Sequence, residues 1–360
     1  GDVYKRQDYN MTKIKFVNTS IVTLTFVILA IISINLNSNN HVFEDRGSLF
    51  LKDFTKNINK IDNISINSFE NNINLVKKDN IYISESGYPL KKGMWENLIT
   101  SLSLLRIEEL KTKDSQRHAD LNLLLPERNK SKEEDEGYGT KITLKKQDGT
   151  IYSSILFGKV DRTVGGLSGG QFARFPEENQ SYLLKGAIRM PTTKSDWFES
   201  LIFTIKNDQF MKATLNNKNG TFEVENKDNK LSLIVPKSLN FKIDETQLSD
   251  IRDVISSFYF YDIKKSLKKY SDNLPTITYE IKDGLVISIT SVEPDKDGES
   301  WVTIKVKSTD KKSEKLAQDI RNKTEGFEFL ANIITSDILR LKPEDLAVKD
   351  KWSLIWSRHS

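Results

Sequence analysis

GYPLKKGMWENLITSLSLLRIEELK, residues 87–111, lies without a gap on NFKIDETQLSDIRDVISSFYFYDIK, residues 240–264, at a constant offset of 153. Apolar positions then coincide: Tyr88 with Phe241, Trp95 with Leu248, Leu98 with Ile251, Leu102 with Ile255, Leu105 with Phe258, Ile107 with Phe260 and Leu110 with Ile263. The steps from Trp95 to Leu98, Leu102 and Leu105 follow the 3.6-residue period of a helix that buries one face. The later copy repeats that face.

Working outward, each helix follows an apolar alternation that reads as strands. These carry Ile73, Leu75, Ile81 and Ile83 in the first copy, and Phe222, Val224, Leu231, Leu233 and Val235 in the second. Each helix precedes a hairpin with Asp-Gly at its turn, Asp148-Gly149 and Asp283-Gly284, a pair that tolerates the positive φ angles of tight two-residue turns. Agreement of helix register, upstream strands and downstream turn points to an internal duplication. The expected fold class is α+β: one N-terminal transmembrane helix, then two tandem sheet-plus-helix modules.

The expected boundaries are a tail at 1–10, an anchor and spacer at 11–40, a first module at 41–200, a second at 201–345 and a C-terminal tail at 346–360. The charge-rich insertion NKSKEEDE, Asn129 to Glu136, reads as a loop in the first module. Beyond the second helix, Trp301 to Val306 reads as a strand, Ser313 to Asn322 as a helix with Leu316 and Ile320 inward, and Phe327 to Leu339 as another helix.

Bulk composition narrows the function classes. A 360-residue chain is long enough for two domains. A mean hydropathy of −0.48 and 29% charged residues place most of it in water. The net charge of +4 is too small and too dispersed to argue for a nucleic-acid partner. Having no cysteine, the chain has no disulfides, no thiolate nucleophile and no thiolate metal site.

The first seven residues, GDVYKRQ, resemble the translation of a sequencing adaptor, so the natural start is expected at Met11. From there Phe16 to Leu36 runs through Ile21, Phe26 and Ile31 without an acidic residue, lysine or arginine. At about 1.5 Å per residue this stretch spans roughly 30 Å of hydrocarbon. Lys13 and Lys15 precede it while Asn37 to Asn40 is uncharged, so the positive-inside bias predicts an uncleaved signal anchor with a cytoplasmic N-terminus. The inner membrane is then a partner and the bulk of the chain is periplasmic. A cleaved signal peptide is the competing reading.

GGLSGGQFAR, Gly165 to Arg174, contains the LSGGQ signature of ABC-transporter ATPases. In those enzymes it opens a helix whose N-terminus faces phosphate. Here Pro176 stops any such helix, and no G-x-x-x-x-G-K-[ST] loop exists in the chain. The stretch reads as a glycine-rich loop before a short strand, and Gly165, Gly166, Gly169, Gly170 and Arg174 become candidate contact residues. Trp352 and Trp356, one helical turn apart in the tail, are a second candidate contact.

These segments together resemble the bacterial domain-of-unknown-function family 4340. The likeness rests on GYP with its W-x-x-L-x-x-x-L-x-x-L helix, on EELKT (Glu108 to Thr112) and ITLKKQDGTIYSSILFGK, and on GGLSGGQFARFPEENQSYLLKG and DWFES (Asp196 to Ser200). It runs from about residue 47 to 345. One departure is a tryptophan usual after the first strand turn, where this chain has Ile81 or Tyr82. The resemblance implies an anchored envelope protein associated with gliding-motility-type ABC transporter components, with permease and auxiliary subunits as partners.

Signals of chemistry are sparse. His41, His118 and His359 are scattered and show no metal-ligand spacing, and His118 reads as a surface or capping residue. Adjacent carboxylates such as Glu108-Glu109 and Glu177-Glu178 point apart more often than they converge. No G-x-S-x-G elbow occurs. Trp95, Trp197 and Trp301 read as core. The expectation is therefore no catalytic residue, no cofactor, no metal and a non-catalytic accessory or scaffold subunit. The alternatives are an envelope hydrolase acting on polysaccharide or peptidoglycan, and a structural envelope module working without a transporter.

Overall fold

The computed structural model describes residues 18, 21–29, 45–69, 71–126, 137–164, 166, 169–228, 230–234, 242–266, 270, 273–294 and 300–348. Phe16, Ile31, Leu36, the insertion Asn129 to Glu136, Gly165, Val235, Phe241, Trp352 and Trp356 lie outside the described residues. Within the expected anchor, residues 21–29 form a helix (α1) whose apolar side chains are all exposed, Phe26 by 68%. Among the described residues no helix is long and apolar enough to cross a membrane.

The first sheet takes β1 (Ile61–Asn67), β2 (Asn72–Lys78), β3 (Ile81–Ser84), β4 (Arg106–Leu110), β5 (Thr140–Lys146), β6 (Ile151–Asp161), β7 (Gly170–Arg174) and β8 (Ser181–Lys185). A short helix, α2 (Phe54–Asn57), precedes it, and α3 (Met94–Leu104) joins β3 to β4. The second sheet takes β9 (Leu201–Phe203), β10 (Phe210–Asn217), β11 (Gly220–Lys227), β12 (Lys230–Ile234), β13 (Phe258–Lys265), β14 (Thr276–Ile281), β15 (Leu285–Pro294), β16 (Ser300–Ser308) and β17 (Phe327–Ala331). Its helices are α4 (Glu245–Asp253), α5 (Lys311–Thr324) and α6 (Ile333–Arg340).

The sheets run β3-β2-β1-β5-β6-β7-β8-β4 and β12-β11-β10-β14-β15-β16-β17-β13-β9. Substituting each strand of the second module for its counterpart reproduces the first order, with β9 added at the end. Even β9 has a relative: Phe203 pairs with Phe258, and 153 residues earlier the Phe50 N–H donates to the Leu105 carbonyl. Both sheets also carry a bulge at the same place, between Ile61 and Asn63 and between Phe210 and Lys212.

The repeated helices behave as their periodicity requires. In α3, Leu98 and Leu102 are buried, and Trp95 packs half-buried against Tyr82 at 5.5 Å between rings. In α4, Leu248 and Ile251 are buried, and the Asp244 carboxylate accepts from the Thr246 N–H at 3.0 Å to cap the first turn.

The two modules close over one continuous core. Tyr88 from the first lies within 5.1–6.2 Å of Phe198, Phe260, Phe327 and Phe329, ring centre to ring centre and edge-on. Edge-to-face geometry adds to the burial of these large rings. Lys194 reaches Asp262 at 2.6 Å across the same junction.

Four local expectations are corrected. β3 turns Tyr82 inward and leaves Ile81 half exposed, because the Tyr82 ring fills the space over Trp95 and its hydroxyl donates to the Ile61 carbonyl at 2.6 Å. The expected helix from Phe327 to Leu339 divides into β17 and α6: Gly326, at φ 84°, reverses the chain so that Phe327–Ala331 can fill the slot beside β13. In α5 it is Ala317 and Ile320 that face inward, with Leu316 exposed. The β5–β6 turn is a three-residue loop with only Gly149 left-handed, whereas Asp283 and Gly284 both have positive φ.

Candidate functional site

Each sheet has a core face and an outer face, and the outer faces can be compared row by row. Thr143 pairs with Ser154 and Thr278 with Ser288, with hydroxyl oxygens 3.1 Å apart in both. Two residues further along, Leu156 pairs with Arg174 in the first sheet and Thr290 with Thr303 in the second. Beyond them Phe172 pairs with Leu183, and Trp301 with Leu330. Leu156, Arg174 and Phe172 thus correspond to Thr290, Thr303 and Trp301.

In the first module this outer face is filled by the chain itself. Residues 111–126 leave β4 through two short turns, Ser115–Arg117 and Ala119–Leu121, and set Leu121 and Leu123 on Leu156, Phe172 and Leu183. Arg174, 7% exposed, clamps the segment: its Nε donates to the Leu123 carbonyl at 2.9 Å, and its Nη1 to the carbonyls of Pro176 at 2.9 Å and of Phe175 and Glu178 at 3.3 Å. Burial pulls the guanidinium pKa below its usual value, and Glu177 opposes the shift. His118, 3% exposed, bonds through Nε2 to the Asn179 carbonyl at 2.9 Å. Gly158 makes the close approach possible, since a Cβ there would meet the Leu121 carbonyl oxygen at 2.1 Å.

In the second module no segment among the described residues covers the equivalent face. β17 pairs with β16 only at Trp301↔Leu330 and Val302↔Phe329, although β16 continues along β15 to Ser308. Where the strands splay, α5 crosses and the Arg321 Nη1 donates to the Val306 carbonyl at 3.4 Å. The result is a cleft of about 770 Å³. It is lined by the threonine row Thr276, Thr290 and Thr303, by the cations Lys305, Lys307 and Arg321, and by Tyr270, Glu325 and Phe327.

Charge in this corner is unevenly satisfied. Glu328, 4% exposed, accepts from the Tyr270 hydroxyl and lies 3.3 Å from the Lys264 ammonium, which sits 4.1 Å over the Trp301 ring. Arg321 pairs with Glu314. Among the described residues, Lys305 and Lys307 make no ion pair and the Thr303 hydroxyl no hydrogen bond.

The sequence candidates fall elsewhere. Gly166 is exposed, but Gly169 and Gly170 are buried, and a Cβ on Gly170 would come within 2.9 Å of the Leu184 carbonyl oxygen. LSGGQ ends in β7 rather than opening a helix. Its Gln171 ties the strand in place, donating to the Gly158 carbonyl and accepting from the Ile188 N–H. His118, read as a surface or capping residue, is buried and stands at the cap position between the two short turns, and Arg174, a candidate contact residue, is buried and clamps backbone carbonyls: a folded-over segment supplies partners that no local pattern announces. Trp197 is buried as expected, whereas Trp95 and Trp301 are half-buried. Ile21 and Phe26 of the expected anchor are exposed on α1. The cleft itself was missed. Its signal, Leu156 replaced by Thr290 and Arg174 by Thr303, is visible only once strand register is known.

The family model described as a domain of unknown function, DUF4340, matches residues 82–273, more than half of the chain. No curated protein and no solved structure matches. The matched span runs from β3 past β13 and stops just before the threonine row.

Proposed function

Because this chain belongs to the domain-of-unknown-function family DUF4340, whose description assigns no activity, we propose from its geometry a non-catalytic binding or scaffold subunit. It is held at the inner membrane by its N-terminal segment and works in the periplasm with the permease and auxiliary subunits of an ABC-type transport system. The observation that carries this reading is the fusion of two like-ordered sheets on one core, which makes a two-module body with a cleft of about 770 Å³ on the second copy. Much of its buried polar chemistry goes into holding backbone: Arg174, His118 and Gln171 all bind main-chain groups. The exposed apolar side chains of α1 support the anchor.

The cleft favours retention over turnover. It presents three cations beside one lining carboxylate, Glu325, while hydrolysis of a glycosidic bond commonly uses two carboxyl groups facing each other. Affinity capture of the full chain from solubilised membranes tests the proposal. Retention of an ABC-type ATPase or permease subunit is expected, and reproducible capture of the chain without either would overturn it.

A further inference from the structure

We propose that Asn219 is a self-modifying site: the Gly220 backbone nitrogen displaces its side-chain amide, and the product weakens the hold of the β10–β11 hairpin on the end of α6. The inference goes beyond the binding-subunit reading and does not depend on it. Asn219-Gly220 is the one Asn-Gly pair in the chain. It lies at the tip of the hairpin, where Asn217 pairs with Gly220 as the last rung of the ladder. Glycine has no side chain to shield its nitrogen. Gly220 is exposed, and nothing stands within 4 Å of the place a Cβ would take on it.

Asn217, in the same turn, supplies the internal comparison. Its Oδ1 accepts from the Asn219 N–H at 2.8 Å, its Nδ2 donates to the carbonyls of Leu341 at 2.9 Å and Leu339 at 3.3 Å, and Lys218 follows it. The Asn219 side chain has one bond among the described residues, from Nδ2 to the Arg340 carbonyl at 3.3 Å. Ring closure requires only the terminal pair of the ladder to open, and local opening costs least at such a tip. The Gly220 nitrogen gives its proton to solvent base and bonds to the Asn219 Cγ, the Cγ–Nδ2 bond breaks, and Nδ2 leaves as ammonia. Water then opens the five-membered imide at one of its two N–C bonds, leaving an aspartate or an isoaspartate at position 219. Either product places a carboxylate where Nδ2 donated. The carbonyls of Leu339, Arg340 and Leu341 close the C-terminal end of α6. That is the negative end of the helix dipole, and an anion there is repelled.

The test is mass-spectrometric peptide mapping of the full chain in detergent, aged in mildly alkaline buffer and then digested at acidic pH with a glutamate-specific protease. Cleavage after Glu199 and Glu223 leaves Asn207, Asn216, Asn217 and Asn219 in one fragment. Replacement of the amide NH2 by OH is expected at Asn219 at least about tenfold faster than at Asn217, since only Asn219 is followed by glycine. The rate should rise with pH, because the attacking nitrogen must lose its proton. Asn219→Gln keeps an amide but would need a larger ring, and it should stay unmodified. A free peptide of residues 214–225 is the reference. Conversion of that peptide while the folded chain stays intact would overturn the proposal, as would equal rates at Asn217 and Asn219. For the consequence, Asn219→Asp and the aged parent should both be cut by trypsin after Arg340 several-fold faster than the fresh parent and Asn219→Gln. Equal cutting of all four would overturn the link to α6. Circular dichroism of each variant confirms folding.

Discussion

Tyr88 meets Phe327 edge-on across the module junction, with ring centres 5.1 Å apart and planes at 88°. The tyrosine comes from the loop before α3 and the phenylalanine from the first position of β17, so the contact spans the length of both modules. Tyr88→Ala removes a ring that is 1% exposed and leaves a cavity against four phenylalanines. A loss of about 3–5 kcal/mol is expected. Chemical denaturation followed by tryptophan fluorescence and by circular dichroism checks it, and the wild-type chain should give coincident single transitions by both probes.

Arg174→Leu keeps the volume near the second small core but strips donors from the carbonyls of Leu123, Pro176 and Glu178. Unsatisfied buried acceptors make the expected cost roughly 2–4 kcal/mol. The freed segment 111–126 should become open to trypsin at Arg117. Limited proteolysis of folded wild type and variant compares the two, and an unchanged digestion pattern would remove Arg174 from its role as a clamp.

Alkaline sensitivity follows from the buried tyrosines. Burial, with a smaller contribution from the Asp62 charge, pushes the Tyr82 hydroxyl up to about 12, and Tyr88 and Tyr279 are raised as well. In the unfolded chain these groups ionise near 10. The folded state therefore holds protons that the unfolded state releases, so stability is fully present below pH 10 and falls as pH rises toward 12. Denaturant midpoints measured from pH 8 to 11.5 should decline above 10. Tyr82→Phe should flatten that decline while lowering the midpoint at pH 8 through the lost bond to the Ile61 carbonyl.

The anchor is tested by charge. Leu24→Arg and Val27→Arg on α1 each add about 2.5–3.5 kcal/mol to membrane insertion at mid-bilayer. The double variant should be extracted by alkaline carbonate whereas the parent stays with the membrane pellet. Parent and variant fractionating alike would remove the anchor.

Elements whose pattern is local were legible in the sequence. Trp95, Leu98 and Leu102 announce α3 because a helix reads its own 3.6-residue repeat, and Phe222 and Val224 announce β11 in the same way. Tyr82 was misread because IYIS is apolar on both faces of the strand, and only the partner across the sheet decides which face turns inward. Phe327–Ala331 was misread as helix because the vacancy it fills is created by β16 and β13, residues far away in sequence. The same holds for the candidate site. Thr290 and Thr303 are unremarkable threonines until register sets them opposite Leu156 and Arg174 of the other copy.

The aromatic seam between the modules bears on how the chain is made. Tyr88 leaves the ribosome long before Phe260, Phe327 and Phe329 exist to cover it, and at about 5–20 residues per second the wait for Phe260 alone is roughly ten to thirty seconds. Through that interval the first copy carries a bare aromatic face suited to chaperone capture or to pairing with a neighbouring nascent chain. Slow translation should therefore be more hazardous for this protein than for one whose halves are sealed separately.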